Sequence, residues 1–151
     1  MELTRILATG TFDILHPGHI YFLEQAKALG NQKDDKLFVI VSRDINVNHK
    51  PMPIIPEKQR LEMVAALKCV DCAVLGSLTD YLEPIADIHP DIIVLGFDQK
   101  FNEEELREAL AKRGFSPKVI RLSQKENEDK SYFSSRLITA EILKRNGEMK
   151  D

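Results

Sequence analysis

At 151 residues the chain is long enough for one domain, expected over 1–151, with a substantial apolar core. Its 43% apolar and 30% charged residues describe an ordinary globular composition, and a formal net charge of −3 supplies no basic field, so nucleic acid is not expected as a partner. No apolar run reaches the roughly eighteen residues of a membrane span and no charged-apolar-small leader opens the chain, so no membrane and a cytoplasmic location are expected.

Apolar runs alternate with helix-period segments nearly to the end. Arg5–Ala8 reads as a first strand and Pro17–Leu29 as an amphipathic helix closed by Gly30. Leu37–Val41 is continuously apolar, the pattern of a parallel strand covered on both faces. A polar, proline-punctuated segment from Ile45 to Pro56 precedes a helix that Pro56 opens and that runs to about Leu67. Ala73–Leu75 reads as the third strand, followed by a short helix capped by Thr79 or Asp80 and ending near Ile88. Asp91–Leu95 is the fourth strand. Asn102 should cap the next helix, with Glu103, Glu104 and Glu105 in its first turn. Lys118–Leu122 is the fifth strand, and Ser134 or Ser135 begins a final helix to about Arg145, with a frayed tail over 146–151. Strands separated by helices predict an α/β fold: a Rossmann-like, doubly wound, parallel five-stranded sheet with helices on both faces.

Ligands of such sheets bind beyond the carboxyl ends of the strands, where strand order reverses. Four polar clusters follow strand ends: Thr9–His19, Ser42–Lys50, Gly96–Gln99 and Ser123–Arg136. The first is the richest. In Gly10-Thr11-Phe12-Asp13-Ile14-Leu15-His16-Pro17-Gly18-His19, a strand hands over to a helix through a small-residue turn and two imidazoles. Orphan N–H groups and the helix dipole favour an anion there, and the histidines add donors that titrate near neutral pH. Pro17 suits a helix's first turn and Gly18 admits close approach of a ligand. Phe12 is open to two readings, against the nucleotide or under the loop as a core residue. Asp13 beside a phosphate site would repel the ligand unless paired, so it is expected to fix the loop by accepting backbone N–H bonds.

The T-F-D-x-x-H-x-G-H pattern resembles the signature of the cytidylyltransferase-like nucleotidylyltransferases. The resemblance implies that His16 and His19 contact nucleotide phosphates and stabilise the transition state of nucleotidyl transfer. It also implies that Thr11 and Phe12 set main-chain groups against the nucleotide, and that Asp98 in G-F-D-Q lies by its ribose or base; an Asx turn is the alternative. Ser134-Ser135-Arg136 stands where many members carry a Ser/Thr-rich turn. Hydroxyls, helix-start N–H groups and a bidentate arginine suit a triphosphate there. Phe133 replaces the usual isoleucine, and the preceding R-T-x-G of the glycerol-3-phosphate enzymes is absent.

Longer blocks narrow the resemblance. A-T-G-T-F-D-I-L-H-P-G-H, P-I-I-P-E-K-Q-R-L-E-M-V-A-A-L-K, V-D-C-A-V-L-G-S, L-E-P-I and P-D-I-I-V-L-G-F-D-Q are similar to archaeal-type FAD synthases, which transfer AMP from ATP to FMN and release pyrophosphate. ATP and FMN are therefore the expected partners, with a divalent cation, Mg²⁺, carried by the substrate phosphates and no all-protein metal site. A cytidylyltransferase using CTP and a phosphorylated alcohol such as glycerol 3-phosphate is the rival reading. A non-catalytic nucleotide-binding module is the rival from another class. Small enzymes of this type are commonly homodimers, although no apolar stripe in the sequence marks an interface.

The remaining candidates read as ordinary. Arg43, Lys50 and Arg60 are each expected as solvated surface charges, although Arg43 can face the crevice. Cys69 and Cys72 form a C-x-x-C without a second pair to complete a zinc site, so packing is preferred to redox chemistry. His49 and His89 need no role. Tyr81, Phe97, Phe101, Tyr132 and Phe133 are the aromatic side chains available to stack on a flavin ring.

Overall fold

The computed structural model describes residues 3–47, 51–96, 99, 101–123 and 134–148. Five parallel strands form one sheet: β1 (Arg5–Gly10), β2 (Lys36–Val41), β3 (Cys72–Leu75), β4 (Ile92–Leu95) and β5 (Lys118–Arg121). Helices α1 (Pro17–Lys27), α2 (Glu57–Ala65), α3 (Glu83–Ile88), α4 (Glu103–Ala111) and α5 (Ser135–Glu148) follow the strands in turn, and a short 3₁₀ turn spans Asp44–Asn46. Strand order is β3-β2-β1-β4-β5. The chain winds outward to one edge from β1, then returns to start again on its other side at β4. The reversal lies between β1 and β4, which pair at Ile6–Ile92, Leu7–Ile93 and Ala8–Val94. This is the expected fold, and it places the ligand crevice above those two strands.

Alternation along each strand divides the core. Ile6, Ala8, Leu37, Val39, Val41 and Val94 meet Leu23 and Ala26 of α1 and Val64 of α2 on one face. Leu7, Ile40, Ile93, Leu95 and Val119 meet Ile85 and Ile88 of α3 and Leu106 and Leu110 of α4 on the other. Complete burial of a Leu or Ile contributes about 1.5–3 kcal/mol, so the two layers hold the sheet rigid beneath its polar upper rim. Helix α5 differs, since it buries none of its side chains.

Several boundaries move for local reasons. Helix α3 starts at Glu83 rather than after Thr79 or Asp80. Ser77 Oγ instead accepts the N–H groups of Thr79 and Asp80, and Asp80 Oδ1 accepts that of Leu82. Those side chains build a turn where a helix start was expected. Helix α2 begins after Pro56, which occupies the N-cap position, and ends at Ala65. Asn102 caps α4 as expected, accepting Glu105 N–H at 3.1 Å. Helix α5 continues through the first part of the tail expected to fray, ending at Glu148. Among the described residues no helix is long and apolar enough to cross a membrane.

Candidate active site

The loop from β1 to α1 is ordered by its own polar groups. His16 occupies the N-cap of α1 in extended backbone, and its Nδ1 accepts Gly18 N–H at 3.1 Å. His19 Nδ1 accepts His16 N–H at 3.3 Å, which closes a capping box made of two imidazoles. The rings stack with centroids 3.8 Å apart and planes inclined by 27°. Both Nδ1 atoms are therefore acceptors, and each neutral ring must carry its proton on Nε2. Partial burial lowers the pKa of His16, favouring the neutral Nε2–H form near neutral pH.

The helix start beneath these rings is electrostatically open. Helices α2, α3 and α4 carry Glu57, Glu83 and Glu103–Glu105 in their first turns, whereas α1 has no acidic residue there. Helix α5 also lacks a first-turn acid, and Ser135 Oγ ties its start to the same loop by donating to Ile14 O at 3.2 Å. Two uncompensated helix N-termini thus adjoin one loop, an arrangement that favours an anionic ligand. Ser134 Oγ accepts Arg136 N–H at 3.2 Å, and the Arg136 side chain is exposed beside it.

The other expected site residues divide clearly. His16, Pro17, Gly18 and His19 cap and open α1, and Ser135 reaches their loop through Ile14 O, with Ser134 and Arg136 its neighbours in sequence. Asp13 fixes the loop in the manner expected, accepting Ile54 N–H at 3.0 Å and Ile55 N–H at 2.8 Å. Phe12 takes the core reading. Its ring is 4% exposed and lies against Gly10, and its φ of 54° places a non-glycine residue in the left-handed region. Thr11 turns its carbonyl to Arg60 rather than outward. Asp98, Phe97, Lys50, His49, Tyr132 and Phe133 lie outside the described residues.

Two arginines correct the sequence reading. Arg60 is fully buried, not a solvated charge. Its guanidinium donates to Ile55 O, Thr11 O and Asp44 Oδ1 at 2.8, 2.6 and 2.6 Å. Arg43 is half-buried and held by Gly76 O and Glu57 Oε1 at 2.6 and 3.2 Å. Neither is a loose surface cation.

The floor of the crevice is also built from polar side chains. Gln99 spans the reversal point: its Nε2 donates to Thr9 O of β1 at 2.7 Å and its Oε1 accepts Gly96 N–H above β4 at 2.7 Å. Arg121 at the end of β5 donates to Gly96 O and Gln99 O, both at 2.8 Å, and to Phe101 O at 2.5 Å. Neither role is legible in the sequence, since an amide or guanidinium directed at backbone carbonyls leaves no periodic or compositional trace. A shallow cleft of about 370 Å³ lined by Phe101, Asn102, Glu103, Glu104, Arg107 and Arg121 lies beside this loop. Its arginines already pair with Glu104 and Glu103, so it offers no open cationic site.

The cysteines are both free thiols. Cys69 packs against the core, and burial pushes its thiol pKa up, the wrong direction for a nucleophile. Cys72 is exposed at the start of edge strand β3, so packing does not account for it. Tyr81 and Phe101 are exposed with ring centroids 6.3 Å apart, and His89 sits edge-on to Phe115.

A family model described as cytidylyltransferase-like matches residues 7–141, including the whole of this loop and the start of α5. The chain belongs to the cytidylyltransferase-like family. A Methanosarcina mazei protein named FAD synthase is 58% identical over 145 residues, covering 96% of this chain and 92% of its own length. An Archaeoglobus profundus protein of the same name is 53% identical over 141 residues, covering 93% of this chain and 87% of its own length. A solved structure titled as a lipopolysaccharide core biosynthesis protein from Thermoplasma volcanium matches with a TM-score of 0.77 at 42% identity, covering 83% of this chain and 100% of that one. The resemblance carried by G-T-F-D and H-x-G-H is borne out, and the imidazole cap occupies the first crossover of a cytidylyltransferase-like domain.

Proposed function

We propose that this chain is an FAD synthase that transfers AMP from ATP to FMN. Its relatives of that name, 53–65% identical, support the choice of nucleotide and acceptor. The chemistry rests on the paired imidazole cap of His16 and His19 over an acid-free helix start. A terminal phosphate oxygen of FMN attacks the α-phosphorus of ATP; the new P–O bond forms as the bond to the β-phosphate bridging oxygen breaks. Pyrophosphate leaves in line, and no covalent bond to the protein is required.

The protein's contribution is positioning and charge stabilisation. The Nε2–H groups of His16 and His19 donate to α- and β-phosphate oxygens as negative charge moves toward the leaving group. The N-termini of α1 and α5 and the Arg136 guanidinium hold the remaining phosphate charge. Among the described residues no group of three potential metal ligands exists, and both oxygens of Asp13 are taken by Ile54 and Ile55. That donor set suits Mg²⁺ held by the triphosphate oxygens and water, where it would neutralise phosphate charge.

The test is pyrophosphate release from ATP or CTP, each offered with FMN or glycerol 3-phosphate. ATP with FMN is expected to turn over and to yield FAD. Preference for CTP with the alcohol phosphate would establish the cytidylyltransferase instead, and nucleotide binding without pyrophosphate from any acceptor would establish a non-catalytic module.

A further inference from the structure

Phe12 is the strained point of the phosphate loop, and both of its flanks are clamped. On one side, Arg60 Nη1 donates to the Thr11 carbonyl at 2.6 Å. On the other, the Asp13 carboxylate accepts Ile54 and Ile55 N–H. The clamps share a partner, because Arg60 Nε also donates to Ile55 O at 2.8 Å. The third arm, Nη2, meets Asp44 Oδ1 at 2.6 Å. Asp44 is itself fixed through reciprocal contacts with Glu57 at the start of α2: Glu57 Oε2 accepts Asp44 N–H at 2.9 Å, and Asp44 Oδ2 accepts Glu57 N–H at 3.3 Å.

A φ of 54° is unfavourable for phenylalanine and persists only where the surroundings over-determine it. The bend drives the Phe12 ring beneath the loop, where it meets the His19 ring at 5.4 Å between centroids. Arg60 cannot serve the nucleotide directly, since its side chain has no exposed surface and its donors point to protein oxygens. A buried guanidinium facing one partly exposed carboxylate is also a weak device for stability alone.

We propose that Arg60 is a positioning residue for nucleotidyl transfer. It holds the left-handed turn at Phe12 and, through the Phe12 ring, sets the His19 imidazole against the transferring phosphate. The inference rests on the catalytic reading of His16 and His19. Lysine at position 60 would keep the charge opposite Asp44 yet lose the planar fork that reaches three acceptors at once.

The test compares Arg60→Lys and His19→Ala with the wild-type protein by kcat and KM for ATP, and by ¹H NMR of the histidine Hε1 protons. In Arg60→Lys, kcat is expected to fall on the order of 10²-fold, as for a misplaced reacting group, with KM for ATP changing by less than about threefold. The His19 Hε1 resonance should move while that of His89, at the opposite end of the sheet, stays in place. A folded Arg60→Lys protein with wild-type kcat and unmoved His19, or a loss confined to KM, would overturn the inference. If Arg60→Lys does not fold, Asp44→Asn keeps an acceptor but removes its charge. The same measurements should then show a smaller fall in kcat and the same direction of His19 shift, and wild-type values in both would refute it. Full turnover in His19→Ala would remove the catalytic pair itself, whereas loss there beside an undiminished Arg60→Lys removes only the role of Arg60.

Discussion

Ser135 donates its hydroxyl to the Ile14 carbonyl at 3.2 Å, joining the last helix to the first crossover across 121 positions of sequence. Because α5 buries no side chain, this bond is a principal tie between its N-terminus and the loop from β1 to α1. Ser135→Ala should therefore loosen that helix start without unfolding the sheet. One such bond contributes about 0.5–1.5 kcal/mol, so KM for ATP should rise by about two- to tenfold while the melting temperature changes little. Steady-state kinetics with thermal melts checks this; unchanged KM would separate α5 from the nucleotide site.

Protonation of His16 should switch the site off from the acid side. Its pKa is lowered by partial burial, and its Nδ1 must stay unprotonated to accept Gly18 N–H. The folded state therefore resists the proton that the unfolded state accepts near pH 6.5. This contribution to stability is present above that pH and is lost as pH falls through the lower folded value. The log of kcat/KM for ATP should bend downward below pH 6.5, at the pKa of free His16. His16→Gln, which cannot titrate, should flatten that limb at low activity.

Gly10→Ala tests the packing beneath the loop. A Cβ at that position would stand 2.7 and 2.8 Å from two Phe12 ring carbons, closer than real contacts allow. The ring must move, at a cost of about 1–3 kcal/mol for an overpacked site, and His19 loses its support. A fall in chemical denaturation midpoint together with reduced kcat is expected. Retention of both would show that the Phe12 ring is not confined.

Acid stability should depend on Asp35. Its carboxylate accepts Thr4 N–H and Gln32 N–H at 2.8 and 2.9 Å, and backbone hydrogen bonding lowers its pKa. A carboxylate with a depressed folded pKa stabilises above its unfolded value of 3.8 and loses that contribution as pH falls through the folded one. Asp35→Asn should lower stability at neutral pH and narrow the difference from wild type below pH 3.8. Equal differences at both pH values would contradict the assignment.

Much of this was legible in the chain because single residues carried it. Continuous apolar runs such as Leu37–Val41 could only be central parallel strands, and Pro17 after His16 marked the first helix start. Asp13 was legible because an acid beside a phosphate loop needs a partner. Arg60 was not, since in P-E-K-Q-R it follows three polar residues, Glu57, Lys58 and Gln59. Its burial is decided where Thr11 O, Ile55 O and Asp44 converge, and only the folded backbone brings them together. The early turn at Ser77 was missed for a related reason: Thr79 and Asp80 have cap-forming side chains, but Ser77 claimed their N–H groups first.

The most direct measurement is turnover of ATP and FMN by His16→Ala and His19→Ala, with ATP affinity measured separately by calorimetry. Loss of a preorganised donor should lower kcat on the order of 10²-fold or more while the Kd for ATP changes far less. Undiminished turnover in both variants would contradict the account.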